Sequence, residues 1–317
     1  CLIFSGEDFT DNAEIDQLKA KGHTFAADKA SYLVHWYEEL GLEFIGRLNG
    51  CFSGVLVDLR KQSVVLFNDR YGLNRIYCHE HDGRLYFSSE AKSILKVFPG
   101  LRRLDLKGVA EVFSCGCVLQ DRTLYPEITL LPSGSRWEFK AGKIDKSRYF
   151  KPDSWETRPI LSATEFYDQL KVTFAKLLPR YLKGNNPVAM SLTGGLDGRM
   201  MMAWANSLPG QLPCYTFGGS YRDCSDVKIA RHVAKTCQQT HETIEVGRDF
   251  FAQFPTLAEK SVYLSDGTMD VIGAVELYAN KIARQIAPIR LTGNYGSEIV
   301  RGNVAFKASL RHESALE

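Results

Sequence analysis

The chain changes its grammar once, close to residue 160, and that change limits the possible folds more than any other feature of its 317 residues. Between residue 44 and about residue 150, short apolar runs alternate with turn residues, at 51–58, 63–68, 75–78, 84–88, 135–140 and 143–149. That spacing belongs to strands, and His81-Asp82-Gly83 and Lys140-Ala141-Gly142 supply hairpin turns. Helices are expected at about 32–40, 90–97 and 106–113, which makes this half a strand-rich, layered α/β domain. Residues 151–161, with Pro152 and Pro159, lack periodicity and read as a linker. Ser162-Ala163-Thr164-Glu165 then forms a capping box, followed by Phe166, Leu170 and Phe174 on one helical face. Beyond it, strands at 187–192, 213–217, 242–246 and 289–291 alternate with helices, one of them at 226–238. Alternation of this kind predicts a doubly wound parallel sheet, whose ligands gather beyond the carboxyl ends of the strands. At about 150 residues per domain, the length suits two domains, 1–150 and 162–317.

The sharpest chemical signal is Ser191-Leu192-Thr193-Gly194-Gly195-Leu196-Asp197-Gly198-Arg199, where an apolar strand ends in a hydroxyl, two glycines and a carboxylate before a helix. Unpaired N–H groups and the positive end of the helix dipole attract anions at such a turn. Gly194 and Gly195 can take φ > 0 and let phosphate oxygens approach the main chain, and Thr193 adds a hydroxyl donor. Asp197, a carboxylate beside phosphates, makes sense as a ligand for Mg²⁺. The alternative is an ordinary tight turn in which Asp197 complements the dipole, and this segment alone leaves the two evenly matched. Neither a Gly-Lys-Ser/Thr phosphate loop nor a Gly-x-Gly-x-x-Gly dinucleotide turn is present, so a kinase-like or nicotinamide-dependent reading loses its support.

A formal net charge of +2 without a long basic run implies neither nucleic acid nor an anionic membrane as a partner. No apolar stretch approaches a bilayer span, leaving the cytoplasm as the expected compartment. The 8 cysteines are too scattered for a disulfide framework, and Cys115-Gly116-Cys117 lacks a second pair to complete a zinc set. The histidines are scattered too, and His79 and His81 read as solvated residues flanking a turn.

These residues resemble a known family, the glutamine-hydrolysing asparagine synthetases, which join a class II glutamine amidotransferase domain to an ATP-pyrophosphatase synthetase domain. Thr193-Gly194-Gly195-Leu196-Asp197-Gly198 is similar to that family's pyrophosphate loop, Ser-Gly-Gly-Leu-Asp-Ser. Leu48-Asn49-Gly50-Cys51-Phe52, the run from Asn68-Asp69-Arg70-Tyr71-Gly72 to Tyr77, and Leu85-Tyr86-Phe87-Ser88-Ser89-Glu90-Ala91-Lys92 resemble its amidotransferase core in order and spacing. Thr123-Leu124-Tyr125 through Leu131-Pro132-Ser133-Gly134 is similar to the segment closing that domain. The resemblance implies an amidotransferase domain of the N-terminal-nucleophile type, an α+β sandwich, followed by a doubly wound ATP-pyrophosphatase domain. It implies an enzyme that adenylates a carboxylate such as aspartate with ATP and Mg²⁺, then lets glutamine-derived ammonia displace AMP. By the same resemblance, Thr193, Gly194 and Gly195 bind pyrophosphate, Asp197 binds Mg²⁺, the main chain of Leu192 and Phe217 meets adenine, and Gly293 joins the nucleotide site. Gly6 supplies an oxyanion N–H, and Glu7 with Asp28 holds the glutamine ammonium. Plain surface charge explains Glu7 and Asp28 nearly as well.

Departures from the family pattern are specific. Cys1 stands where the family's nucleophile would be sought, yet Leu2-Ile3-Phe4-Ser5-Gly6-Glu7 resembles an internal strand of the family, so the chain reads as a fragment that starts beyond the nucleophile and ends short of the synthetase domain's close. Ser5 replaces the asparagine that completes the oxyanion hole, a donor typically worth ~10²–10³ in rate. Asn294 and Ser297 replace carboxylates in Thr292-Gly293-Asn294-Tyr295-Gly296-Ser297-Glu298, and Gly198 replaces a serine. ATP binding therefore survives these changes better than amide formation does. Arg199 reads equally as a phosphate contact or a solvated residue, His241 as a capping or solvated one, and Asp266 with Asp270 as a pocket mouth or a helix start. Rival readings are a β-lactam-synthetase-like or sugar-carboxylate amide-forming enzyme, a degenerate nucleotide-binding protein, and, more weakly, a tRNA-modifying pyrophosphatase.

Overall fold

The computed structural model describes residues 1–26, 30–155, 157–182, 186–205, 207–219, 223–294 and 296, in two compact units, 1–161 and 162–317. In chain order the first unit holds β1 (Leu2–Asp8), α1 (Asn12–Ala20), α2 (Tyr32–Leu40), α3 (Phe44–Arg47), β2 (Gly50–Asp58), β3 (Ser63–Asn68), β4 (Tyr77–His81), β5 (Arg84–Ser88), α4 (Ala91–Val97), α5 (Leu106–Cys115), β6 (Thr129–Leu130), β7 (Ser135–Lys140) and β8 (Lys143–Arg148).

Its strands make two antiparallel sheets, ordered β1-β2-β3-β7-β8 and β5-β4-β6. Leu66 and Trp137 of the larger sheet pack on Ile76, Cys78 and Leu131 beside the smaller one. The larger sheet's other face buries Phe52, Leu56, Val65 and Phe67 against Leu33, Trp36, Phe44 and Ile45 of α2 and α3. On the smaller sheet's far side, α4 brings Ala91, Ile94 and Leu95 onto Tyr77 and Ile128. Helix, sheet, sheet, helix is the layered sandwich that the strand spacing and the family resemblance imply.

Both predicted hairpins close with two-residue turns in which each central residue has a positive φ: Asp82 (50°) with Gly83 (70°), and Ala141 (49°) with Gly142 (73°). That is the type I′ geometry, whose twist matches the flanking strands. His79, read from sequence as solvated, is instead 5% exposed. Its Nδ1 lies 2.8 Å from the Glu127 carbonyl, and its ring meets Phe98 edge-on, so a polar residue at an inward strand position is buried with a partner. The expected linker is partly docked: Trp155 lies 6.0 Å from Tyr71 and 5.8 Å from Phe150, ring centre to ring centre.

The second unit holds α6 (Ala163–Leu182), β9 (Val188–Ser191), α7 (Leu196–Ala205), β10 (Cys214–Gly219), α8 (Ser225–Thr236), β11 (His241–Val246), α9 (Arg248–Leu264), α10 (Gly273–Ala283) and β12 (Ile289–Leu291). The capping box has both halves: the Glu165 carboxylate accepts from Ser162 N–H at 2.9 Å, and Ser162 Oγ accepts from Glu165 N–H at 3.3 Å. The sheet is parallel, in the order β11-β10-β9-β12. Successive strands step one way from β9 to β11, then the chain returns to add β12 on the opposite side, placing a topological switch between β9 and β12. Met190 and Leu192 are fully buried against α7 and α8 on one side, and Ala189 packs with Ala283 of α10 on the other, so β9 is anchored from both faces. Among the described residues, no helix is long and apolar enough to cross a membrane.

Candidate functional site

Because β9 ends inside the core, the chain has to turn sharply outward before α7 begins, and residues 192–195 make that turn. Neither Gly194 nor Gly195 takes a positive φ. Left-handed freedom is thus not what the Gly194 position requires. The constraint is close approach: a Cβ on Gly194 would sit 2.9 Å from Asp226 Oδ1 and 3.0 Å from Ile229 Cδ1 of α8. The Gly194 N–H donates to Asp226 Oδ1 at 2.9 Å, and the Gly195 N–H donates to Thr193 Oγ1 at 3.2 Å. Both glycine amides therefore already point at oxygens, one of them anionic. Thr193 and Asp226 are themselves exposed.

The two turns singled out in the sequence meet. A Cβ on Gly293 would fall 2.8 Å from Gly198 N and 2.9 Å from the Asp197 carbonyl carbon, and one on Gly296 would fall 2.8 Å from Asp197 Cγ. The segment after β12 thus lies directly on the first turn of α7, with Asp197 half-buried between two glycines. Asn294 beside them is exposed, and Ser297 and Glu298 lie outside the described residues. Arg199 is exposed. Asp270 Oδ1 accepts from Ile272 N–H at 2.7 Å just ahead of α10, the helix-start role.

A step in the sheet explains Phe217. β9 pairs with β10 only at Cys214↔Met190 and Tyr215↔Ser191, whereas β10 runs on beside β11 to Gly219↔Val246. The Leu192 N–H donates to the Tyr215 carbonyl at 2.9 Å, so the backbone of Tyr215 points toward β9. With the alternation of a parallel ladder, the backbone of Phe217 points the same way, past the place where β9 has stopped. Leu192 itself is tied on both sides, since Thr216 Oγ1 donates to its carbonyl at 2.6 Å. That hydroxyl in turn lies 2.9 Å from His241 Nε2. Burial, then the neighbouring Arg231, holds the His241 imidazole below its ordinary pKa against the pull of Asp223, which suits a neutral ring donating to Thr216.

In the first unit, Gly6 has φ +113°, and a Cβ there would lie 2.1 Å from the Cys51 carbonyl oxygen and 2.8 Å from Asn74 Nδ2. Only glycine can occupy that place. Asn74 Nδ2 donates to the Ser5 carbonyl at 3.2 Å, and Asn74 Oδ1 accepts from Ser53 Oγ at 3.2 Å. What fixes Asn74 is Asp69, a fully buried carboxylate that accepts from the backbone N–H groups of Tyr71, Leu73, Asn74 and Phe52 at 3.0, 3.1, 2.9 and 3.3 Å. Glu7 is exposed at the end of β1. Its neighbour Asp8 is engaged instead, accepting from Asn49 N–H and from Tyr32 Oη, both at 2.7 Å. Burial and the Asp8 carboxylate push the Tyr32 phenol above its usual range. Asp28 lies outside the described residues. The Cys1 amine donates to the Val57 carbonyl at 2.8 Å, and Gly6 lies five residue steps beyond Cys1, about 16 Å at the strand rise.

Sequence reasoning reaches Thr193, Gly194, Gly195, Asp197 and Gly293 but misses Asp226, Asn74, Asp69 and the Thr216–His241 pair. An acidic residue in the first turn of the helix that follows the second parallel strand is the signal that points to Asp226.

Residues 1–150 match the family described as glutamine amidotransferase domain, and residues 169–317 match the family described as asparagine synthase. Asparagine synthetase [glutamine-hydrolyzing] 1 of Bacillus subtilis is 22% identical over 98% of this chain and 48% of its own length. A putative asparagine synthetase 2 of Methanocaldococcus jannaschii is 23% identical over 85% of this chain and 53% of its own length. The Zea mays asparagine synthetase is 25% identical over 97% of this chain and 50% of its own length. The chain spans about half the length of the curated relatives it matches.

Proposed function

The chain belongs to the family that joins a glutamine amidotransferase domain to an asparagine synthase domain, and on that premise we propose that it activates a carboxylic acid with ATP and converts it to an amide with ammonia from glutamine. The observation that carries this reading is the closure of Gly293 and Gly296 on Asp197, beside the Gly194-Gly195 amides, at the switch point of the parallel sheet. Two glycine-containing turns that close on one carboxylate beside two backbone N–H groups suit a triphosphate with its counter-ion.

In this reading the triphosphate oxygens take over the Gly194 and Gly195 amides from Asp226 and Thr193. The Thr193 hydroxyl, released from Gly195, turns to donate to the departing pyrophosphate. Phe217 offers its main chain to the adenine edge, beside the end of Leu192. A carboxylate oxygen of the acceptor attacks the α-phosphorus, the bond to the bridging oxygen breaks, and pyrophosphate leaves with both bonding electrons. Ammonia then attacks the acyl carbon of the adenylate and AMP departs. Such chemistry asks the protein chiefly for positioning and charge stabilisation.

The donor chemistry fits a hard cation, because Asp197 supplies an anionic oxygen beside the Gly194 and Gly195 turn. Asp197 would hold Mg²⁺, which would supply charge neutralisation for the leaving pyrophosphate. In the first unit, the Gly6 N–H and the second hydrogen of Asn74 Nδ2 supply oxyanion donors, Asn74 standing in for the amide lost at Ser5. Glu7 and Asp28 hold the substrate ammonium. Small molecules, and neither nucleic acid nor membrane, are its partners, and the cytoplasm is its compartment.

Asn294 in place of a carboxylate favours a second possibility within the same chemistry, an acceptor acid other than aspartate. Pyrophosphate release by the full-length protein with ATP, Mg²⁺, glutamine or ammonium, and a panel of acids is the test. Release that depends on aspartate supports the asparagine synthetase reading, and release with another acid alone moves the acceptor. No release with any acid, together with no ATP binding, overturns the proposal.

A further inference from the structure

Three metal-ligating side chains converge at the junction of α1 and α2. His23 Nδ1 lies 3.1 Å from His35 Nδ1, His35 Nδ1 lies 3.0 Å from Glu38 Oε2, and His23 Nδ1 lies 4.0 Å from the same oxygen. The three atoms thus form one compact triangle. With ligand bonds of about 2.0–2.2 Å, the edges of a tetrahedral zinc site are about 3.3–3.5 Å, which these separations bracket.

Hydrogen bonding alone does not account for the arrangement. The Glu38 carboxylate and the His23 nitrogen both face His35 Nδ1, and one N–H cannot point along both directions. A cation satisfies all three lone pairs together. Each ligand is held independently. Gly22, with φ +94°, ends α1, and the His23 N–H donates to the Leu18 carbonyl at 3.1 Å, fixing the backbone of His23. His35 and Glu38 are three residues apart on α2, and so project from one face of it.

The tautomer is set as well. His23 Nε2 lies 3.1 Å from Glu39 Oε1, so that nitrogen carries the proton and the Nδ1 lone pair turns to His35. Glu39 is itself held by an ion pair with Lys21. A carboxylate behind a ligand histidine is the supporting contact that metal sites employ. Half-exposed Glu38 and partly exposed histidines leave the fourth position open to water.

We propose that His23, His35 and Glu38 form a binding site for one borderline divalent ion of the zinc class, clamping the end of α1 to α2. Nitrogen and carboxylate donors without sulfur suit zinc, cobalt or nickel rather than a soft monovalent ion.

Zinc titration of the chelator-stripped full-length protein against a chromophoric competitor tests the site, with Co²⁺ absorption reporting the donors. One equivalent is expected, with a tetrahedral Co²⁺ spectrum that lacks thiolate charge transfer, and zinc raises the unfolding temperature. His23→Ala combined with His35→Ala abolishes both the binding and the shift, while Glu39→Gln weakens binding by about 10-fold through the supporting contact. Cys115→Ser with Cys117→Ser leaves binding unchanged. Stoichiometric binding that survives in the double histidine variant, or that disappears in the cysteine variant, overturns the proposal, as does no binding by the wild type. The double histidine variant's unfolding temperature without metal, equal to that of the stripped wild type, shows that its loss is not misfolding.

Discussion

Asp69 and Asp226 both accept hydrogen bonds from the backbone of a turn, yet they do opposite work. Asp69 is fully buried and collects four amides of the 52 and 69–74 segments, with no solvent to replace it. Asp226 is exposed and holds one amide, that of Gly194. A buried acceptor is part of the frame, because removing it strands donors that water cannot reach. An exposed one is a placeholder that a better anion can displace.

The contrast breaks first at its strongest point. Asp69→Ala should cost at least about 3 kcal/mol of unfolding free energy in a denaturant titration, whereas Asp226→Ala should cost under about 1 kcal/mol. Equal losses would mean that the two carboxylates play the same structural part. Asp197→Ala removes the one carboxylate bracketed by Gly293 and Gly296, and should weaken ATP binding in the presence of Mg²⁺ by about 10–100-fold, some 1.4–2.8 kcal/mol. Calorimetric titration with and without chelator reads it, and an effect of the same size without the cation would detach Asp197 from that role.

Gly293→Ala forces a methyl group to within 2.8 Å of Gly198 N. It should lower stability by about 1–3 kcal/mol and loosen ATP together with it, while leaving glutamine-site variants unaffected. Asp226→Asn keeps an acceptor for Gly194 and drops the charge, so pyrophosphate should inhibit a few-fold more tightly, and most visibly at low salt. Weaker inhibition would make Asp226 a ligand rather than a placeholder.

The smallest effect concerns His241. Its folded pKa lies below the ordinary value of 6.5, so the unfolded chain takes up the proton first, and stability present above pH 6.5 falls as the pH drops toward the folded value. His241→Gln should flatten that decline in unfolding measurements between pH 7 and pH 5.

Much of this was readable from residues alone. β3, β5, β7 and β12 fall at the expected bounds because each is a β-branched or aromatic run closed by turn residues, and α2 and the capping box of α6 follow the same local logic. β4 starts two residues later than the apolar pattern suggests, since Asn74 and the loop before it are drawn out by Asp69. Alternation cannot report a hydrogen bond to a buried carboxylate. α1 escaped because its apolar residues are sparse, and its start is set by Asp11 accepting from Ala13 N–H.

The two turns that meet at Asp197 were legible as short strings of glycine beside acid. Asp226 stands 32 residues from the amide it holds, and His23 stands 12 residues from His35, so both pairs exist only once helices are packed. The resemblance supplied a role for Glu7, while the geometry engages Asp8 with Tyr32 and Asn49, engages Asn74 with Ser5, and leaves Glu7 at the surface.

The early end of β9 has an outcome for how such a protein diversifies. Where a strand stops short, its neighbour presents bare peptide groups, and peptide groups are the same whatever side chains the gene encodes. On the proposed reading, a base held by that ledge would stay recognised through generations of substitution. Residues of the second turn such as Asn294 would then be free to change while the ledge stands still.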